Sequence, residues 1–164
     1  MFDQPRANPL RESKFFADGA ASRPIPPHTV ARGRLDDDDA FVAGKIGTNL
    51  VAAIPVPVTP ELLERGRERF EIYCTPCHGR TGEGNGIVVQ RGFPAPPSYH
   101  IDRLREAPDG HFFDVMTRGY GVMYSQASRV PVADRWAIVA YIRALQLSRH
   151  ATMQDVPEGE RSKL

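Results

Sequence analysis

Cysteine is nearly absent from this 164-residue chain: there are two, Cys74 and Cys77, three positions apart. A four-ligand zinc site needs a second cysteine pair or paired histidines, and His28, His100, His111 and His150 are scattered. A disulfide between the two would close too small a loop to stabilise much. The flanks also lack the alternating strand and helix pattern that surrounds a redox dithiol. No charge sign dominates either. Lys and Arg number 21 against 20 Asp and Glu, and the net charge of +1 excludes a generic nucleic-acid binder. Long apolar runs are missing: residues 40–58 are interrupted by Lys45, Thr48 and Asn49 and end among prolines, short of the ~20 apolar residues of a membrane-spanning helix. The start, Met1-Phe2-Asp3-Gln4-Pro5, carries neither the basic nor the apolar region of a secretory leader.

Both cysteines fall in Cys74-Thr75-Pro76-Cys77-His78, a C-x-x-C-H run. One helical turn can offer two thiols at this spacing to the two vinyl groups of one porphyrin, and the histidine that follows aims its imidazole at the iron. The motif predicts one covalently attached haem c, with Cys74 and Cys77 as its tethers and His78 as an iron ligand. Haem is attached in this way outside the cytoplasm, so an export leader is expected to have preceded the numbered chain, with a lipid-bearing cysteine upstream as one form of it.

Proline divides the chain. Seven of its 15 prolines lie within residues 1–58, where periodicity is weak and apolar residues such as Phe15, Phe16, Ile25, Val30, Phe41 and Leu50 are sprinkled. Pro24-Ile25-Pro26-Pro27 reads as extended backbone and Asp36 to Asp39 as a solvated acidic block. Residues 1–58 are therefore expected to form an extended arm that contacts its own domain or neighbouring subunits. A helical domain then spans 59–148, and a tail 149–164. Thr59-Pro60-Glu61 combines an N-cap, a first-position proline and a first-turn acid, and Leu63, Gly66, Phe70 and Tyr73 continue at helical spacing up to Cys74. Gly66 weakens helix propensity by about 1 kcal/mol, which predicts close approach of another helix there. The glycines between 79 and 86 predict a tight turn without the lysine of a phosphate-binding loop. Residues 87–99 read as a loop. Residues 109–119 read as a short helix capped by Asp109 and stopped by Gly119. A last helix starts near Pro131, with Ile138, Tyr141, Ile142 and Leu145 on one side and Arg135 and Arg143 outward.

The sixth iron ligand decides what such a haem can do. Met123 lies in a turn-rich loop before the last helix and is favoured; Met116 sits on the short helix, where a methionine commonly packs a core. His100 and His111 are further alternatives. Histidine and methionine together would leave no open position and raise the potential relative to two histidines. The expected role is one-electron transfer, not catalysis by the chain alone. Arg91 and Trp136 are candidates for contact with the propionates.

Residues 59–147 resemble class I c-type cytochromes: a first helix with glycine and an aromatic, C-x-x-C-H, a methionine loop, and a last helix with the run Ala140 to Leu145. The resemblance implies an all-α domain around one haem, with the first and last helices crossing so that Gly66 and Phe70 meet Tyr141. It also implies a proline carbonyl that accepts the proximal histidine's other N–H, for which Pro97 fits best, with Pro94 and Pro96 as rivals. A longer resemblance runs through Asp3-Gln4-Pro5-Arg6, Phe15-Phe16-Ala17-Asp18-Gly19, Ser22-Arg23-Pro24, Thr29-Val30-Ala31-Arg32-Gly33, residues 90–98 and residues 134–142. These resemble the monohaem cytochrome subunit of bacterial alternative complex III. That resemblance implies an electron-transfer subunit of a respiratory quinol:electron acceptor oxidoreductase on the periplasmic side of the inner membrane. Its partners would be the multihaem cytochrome and iron–sulfur subunits, and a terminal oxidase or soluble carrier as acceptor. A free cytochrome c, or the cytochrome subunit of another periplasmic dehydrogenase or oxidase, is the alternative.

Overall fold

The computed structural model describes residues 4, 6, 8–30 and 38–163. Asp3, Pro5, residues 31–33, Asp36 and Asp37, all quoted above, lie outside them. The elements run α1 (Asp39–Ala43), β1 (Lys45–Ile46), β2 (Asn49–Leu50), α2 (Pro60–Tyr73), α3 (Thr75–His78), α4 (Ile87–Gln90), α5 (Asp102–Arg105), α6 (Asp109–Arg118) and α7 (Val132–His150). Two 3₁₀ turns, Met153–Asp155 and Glu158–Lys163, follow. The fold is the helical, class I cytochrome c-like one expected, with a two-residue antiparallel hairpin as its strand content among the described residues.

Thr59 caps α2 as its sequence predicts, its hydroxyl accepting the Leu62 N–H at 3.2 Å. The helix then crosses α7. A Cβ on Gly66 would lie 2.0 Å from the carbonyl oxygen of Ala137 and 3.0 Å from Cβ of Tyr141, so only glycine lets the backbones approach this closely. One turn on, Phe70 is fully buried against Tyr141, ring centroids 5.3 Å apart. At the other end of the crossing Arg65 grips Asp134 through Nε at 2.8 Å and Nη2 at 3.0 Å, and Arg69 adds a contact at 3.3 Å. This fork fixes the register of the two helices more than it adds energy, since Arg65 is half exposed. The core they enclose holds Phe70, Cys74, Tyr99, Phe112, Phe113, Met116, Trp136, Ile138, Val139 and Ile142.

Several expectations change. The chain forms two compact units, Met1–Leu35 and Asp36–Leu164, so the helical domain begins well before residue 59. Residues 38–58 are built into it: the Phe41 carbonyl accepts Trp136 Nε1–H at 2.6 Å, Val51 exchanges backbone bonds with Gly44 and Gly110, and Lys45 pairs with Asp114 at 2.9 Å. Asp109 is not the cap of α6. Pro108 holds that position, and the Asp109 carboxylate instead accepts the Ile54 N–H at 2.9 Å and Arg143 Nε–H at 2.6 Å. Gly119, at φ +81°, does stop the helix. Arg135 does not point outward: it is buried, its guanidinium 4.5 Å above the Phe113 ring. Arg143 also turns inward, to Asp109 and the carbonyls of Leu104, Arg105 and Ala107. Residues 87–99, read as loop, begin with the single turn α4.

The unit Met1–Leu35 is not extended throughout. Glu12 and Ala20 pair across a closed turn, with Ser13 N–H on the Gly19 carbonyl at 2.8 Å and Ala21 N–H on Arg11 at 2.9 Å. Asp18 binds Arg23 at 2.7 Å, and Arg23 lies over the Phe16 ring at 4.1 Å. Leu10 and Phe15 remain 93% and 87% exposed.

Candidate functional site

α2 delivers the chain directly to the cysteine pair. Cys74 is the C-cap of α2 and the N-cap of α3, so both thiols and the imidazole occupy one tight helical turn closed by His78 N–H to the Cys74 carbonyl at 2.9 Å. Pro76 suits the start of α3, where its missing N–H has no helical partner to lose. Both sulfurs are free thiols. Burial pushes the Cys74 thiol up to about 12. The glycine-rich loop folds back on this turn: Gly84 N–H donates to the His78 carbonyl at 2.8 Å and Gly86 N–H to that of Cys77 at 3.0 Å. The carbonyls of Cys77 and His78 are thereby satisfied without a long following helix.

His78 has the properties of an axial ligand. Burial pushes its imidazole down to about 4, so the ring is neutral at pH 7, as ligation requires. Its Nδ1 is buried with no hydrogen-bond partner among the described residues. One face of the ring lies on Tyr99, with centroids 4.7 Å apart and planes 11° from parallel. Two free thiols in one turn beside a neutral, buried imidazole fit a covalently held haem. Tethering would fall to Cys74 and Cys77 and ligation to His78; such a haem supplies a one-electron couple.

Met123 sits where a loop is pinned. Tyr120 and Met123 exchange two backbone hydrogen bonds, at 3.0 and 2.9 Å, and Ser125 Oγ–H donates to the Thr117 carbonyl at 2.6 Å. The Met123 side chain packs, partly buried, against the same apolar cluster that contains Cys74. Met116 is buried on α6 as a core residue. His100 has a different task, since its Nε2–H donates to the Thr81 carbonyl at 2.7 Å. His111 meets Phe112 edge-on at the start of α6. Pro97 is exposed and is not bonded to His78, and the Pro96 carbonyl turns toward Gly84.

Trp136 is not available to a propionate. Its indole N–H is used by the Phe41 carbonyl and its ring stacks on Phe113 at 4.3 Å. Arg91 is exposed at the end of α4. The residues that sequence reasoning missed are Tyr99 and Gln146: a tyrosine beside a proline-rich loop and a glutamine in a helix carry no local signal of their contacts.

A model of the family described as cytochrome C oxidase, cbb3-type, subunit III matches residues 61–142, which is 82 of the 164 residues. No curated protein matches the chain. Among solved structures it is similar to cytochrome cL of the marine methylotrophic bacterium Methylophaga aminisulfidivorans, at 19% identity and a TM-score of 0.44, over 65% of this chain and 68% of that one. It is also similar to a chain of the reducing HAO-like protein complex of Kuenenia stuttgartiensis, at 20% identity and a TM-score of 0.47. That match covers 65% of this chain and 54% of the other, so this chain spans about half of that one's length. The matched residues run from the start of α2, through the haem motif, to the middle of α7. The chain belongs to that family: its helical domain is a cytochrome c domain, which carries covalently bound haem c and transfers electrons.

Proposed function

We propose that this chain carries one haem c with His78 and Met123 as axial ligands. We further propose that it works as the electron-transfer subunit of a respiratory quinol-oxidising complex of the alternative complex III type. In this reading the electrons pass to a terminal oxidase or a soluble carrier, on the periplasmic side of the bacterial inner membrane.

The observation that carries this reading is the unit Met1–Leu35. A free carrier has no use for a separately folded arm whose Leu10, Phe15, Ile25 and Val30 all face solvent. Exposed apolar side chains on a locally ordered segment suit burial against a partner protein. The arm's sequence motifs resemble the alternative complex III subunit, and a multihaem cytochrome and an iron–sulfur subunit are the partners that resemblance implies. A closed coordination sphere suits electron transfer, because the side chains move little between the two redox states and neither Met123 nor His78 must leave.

Gentle extraction of the native protein from membranes tests the reading. Copurification of a quinol-oxidising complex, lost when residues 1–35 are deleted, supports it. Recovery of the intact chain alone, in the soluble periplasmic fraction, contradicts it. The family's own description favours a second reading, a cytochrome subunit of an oxidase; recovery with oxidase subunits and no quinol-oxidising ones would select that one. Carbon monoxide binding to the reduced native protein would indicate an open iron position and would contradict ligation by Met123.

A further inference from the structure

We propose that Tyr99 is the positioning residue that sets the plane of the His78 imidazole, and that Gln146 holds Tyr99 in place. This rests on the reading of His78 as an axial ligand. An axial histidine is normally oriented by a hydrogen bond from its other ring nitrogen. Here Nδ1 is buried without such a partner among the described residues, and the ring's last torsion is intrinsically broad. Against the ring lies the Tyr99 face, at 4.7 Å and 11° from parallel. A face-to-face contact resists rotation about the Cβ–Cγ bond, because turning the imidazole would drive its edge into the phenol.

Tyr99 can serve as a wall because four elements lock it. Its N–H donates to the Gly82 carbonyl at 2.9 Å, and Gly82 itself comes so close that a Cβ there would lie 2.7 Å from Cδ2 of Tyr99. Phe70 of α2 and Phe112 of α6 flank the ring at 6.2 and 6.1 Å. From α7, Gln146 Nε2–H donates to the Tyr99 carbonyl at 2.7 Å. Gln146 is buried, and its other amide atom accepts Arg143 Nη1–H at 2.8 Å, while Arg143 is anchored on Asp109 at 2.6 Å. A buried glutamine amide is costly unless both ends are satisfied, and here both are. The chain Asp109–Arg143–Gln146–Tyr99 thus runs from the start of α6, through the last helix, to the face of the haem ligand.

The test uses the exported, haem-loaded full chain and reads the ferric electron paramagnetic resonance g values and the order of the haem methyl proton shifts. Both respond to the orientation of an axial imidazole. Tyr99→Phe, which keeps the stack, should give the native pattern. Tyr99→Leu should change the g anisotropy and reorder the methyl shifts, and Gln146→Met should move both in the same direction by less. A haem-loaded Tyr99→Leu protein with native g values and native methyl order overturns the proposal. If Tyr99→Leu yields no holoprotein, an unchanged pattern in Gln146→Met overturns it instead. A parent protein that shows no histidine-ligated low-spin haem would defeat the axial reading of His78, a failure visible before any variant is made.

Discussion

His78 is held by two forces of different kind: burial keeps it neutral and an aromatic face limits its rotation. The roles proposed for it and for Cys74 and Cys77 are read from five consecutive residues, because the chemistry of haem attachment is local. The same was not true of Trp136. Its partner, the Phe41 carbonyl, is 95 positions away, and nothing near Trp136 in the chain announces it. Arg135 misled for a related reason: an arginine beside an aspartate reads as solvated, yet it lies on Phe113 in the core. The methionines provide the sharpest prediction at this scale. Met123→Ala should give a high-spin or water-ligated haem with a lowered potential, seen by visible spectroscopy and redox titration. Met116→Ala should keep the native spectrum and lose about 2–5 kcal/mol of stability in denaturant unfolding. A native spectrum in Met123→Ala would transfer the ligand role to another residue.

Among the elements, α2, α6 and α7 were readable because each is long enough to show a helical stripe. The hairpin Lys45–Leu50 and the five-residue α1 were not, since two to five residues carry no period and their bonds are made to α6 and α7. Two substitutions test how the elements hold one another. Gly66→Ala would gain about 1 kcal/mol of helix propensity. Its new methyl meets a backbone carbonyl at 2.0 Å, however, so α2 and α7 must part. A net loss of about 1–3 kcal/mol and a melting temperature several degrees lower are expected; an unchanged midpoint would contradict the close crossing. Asp109→Ala removes the shared acceptor of Ile54 N–H and Arg143 and leaves a half-buried guanidinium short of a partner. Chemical denaturation should show a loss of about 2–4 kcal/mol.

For the whole molecule, the boundary between the two units separates the arm proposed to bind partners from the domain that carries the haem motif. Deleting residues 1–35 should leave the haem domain's spectrum and melting midpoint unchanged, because that unit is compact by itself. Deleting residues 1–58 should lower the midpoint markedly, because it strips the Phe41 carbonyl from Trp136, Val51 from Gly110 and Lys45 from Asp114. Equal stability of the two truncations, measured on haem-loaded protein, would contradict this boundary. The all-α architecture was legible at this scale, whereas the extent of the domain was not: proline content and weak periodicity made 38–58 look like arm, while its order comes from contacts with distant helices.

The central claim is a single porphyrin tethered to Cys74 and Cys77 with His78 and Met123 on its two axial sides. The most direct test is the visible spectrum of the exported protein, oxidised and reduced, with haem counted per chain after denaturation. The account predicts one covalently retained haem per chain, a low-spin spectrum in both states and the weak red absorption of a ferric haem bound to a thioether. A chain that loses its pigment on denaturation, or shows none, would contradict it.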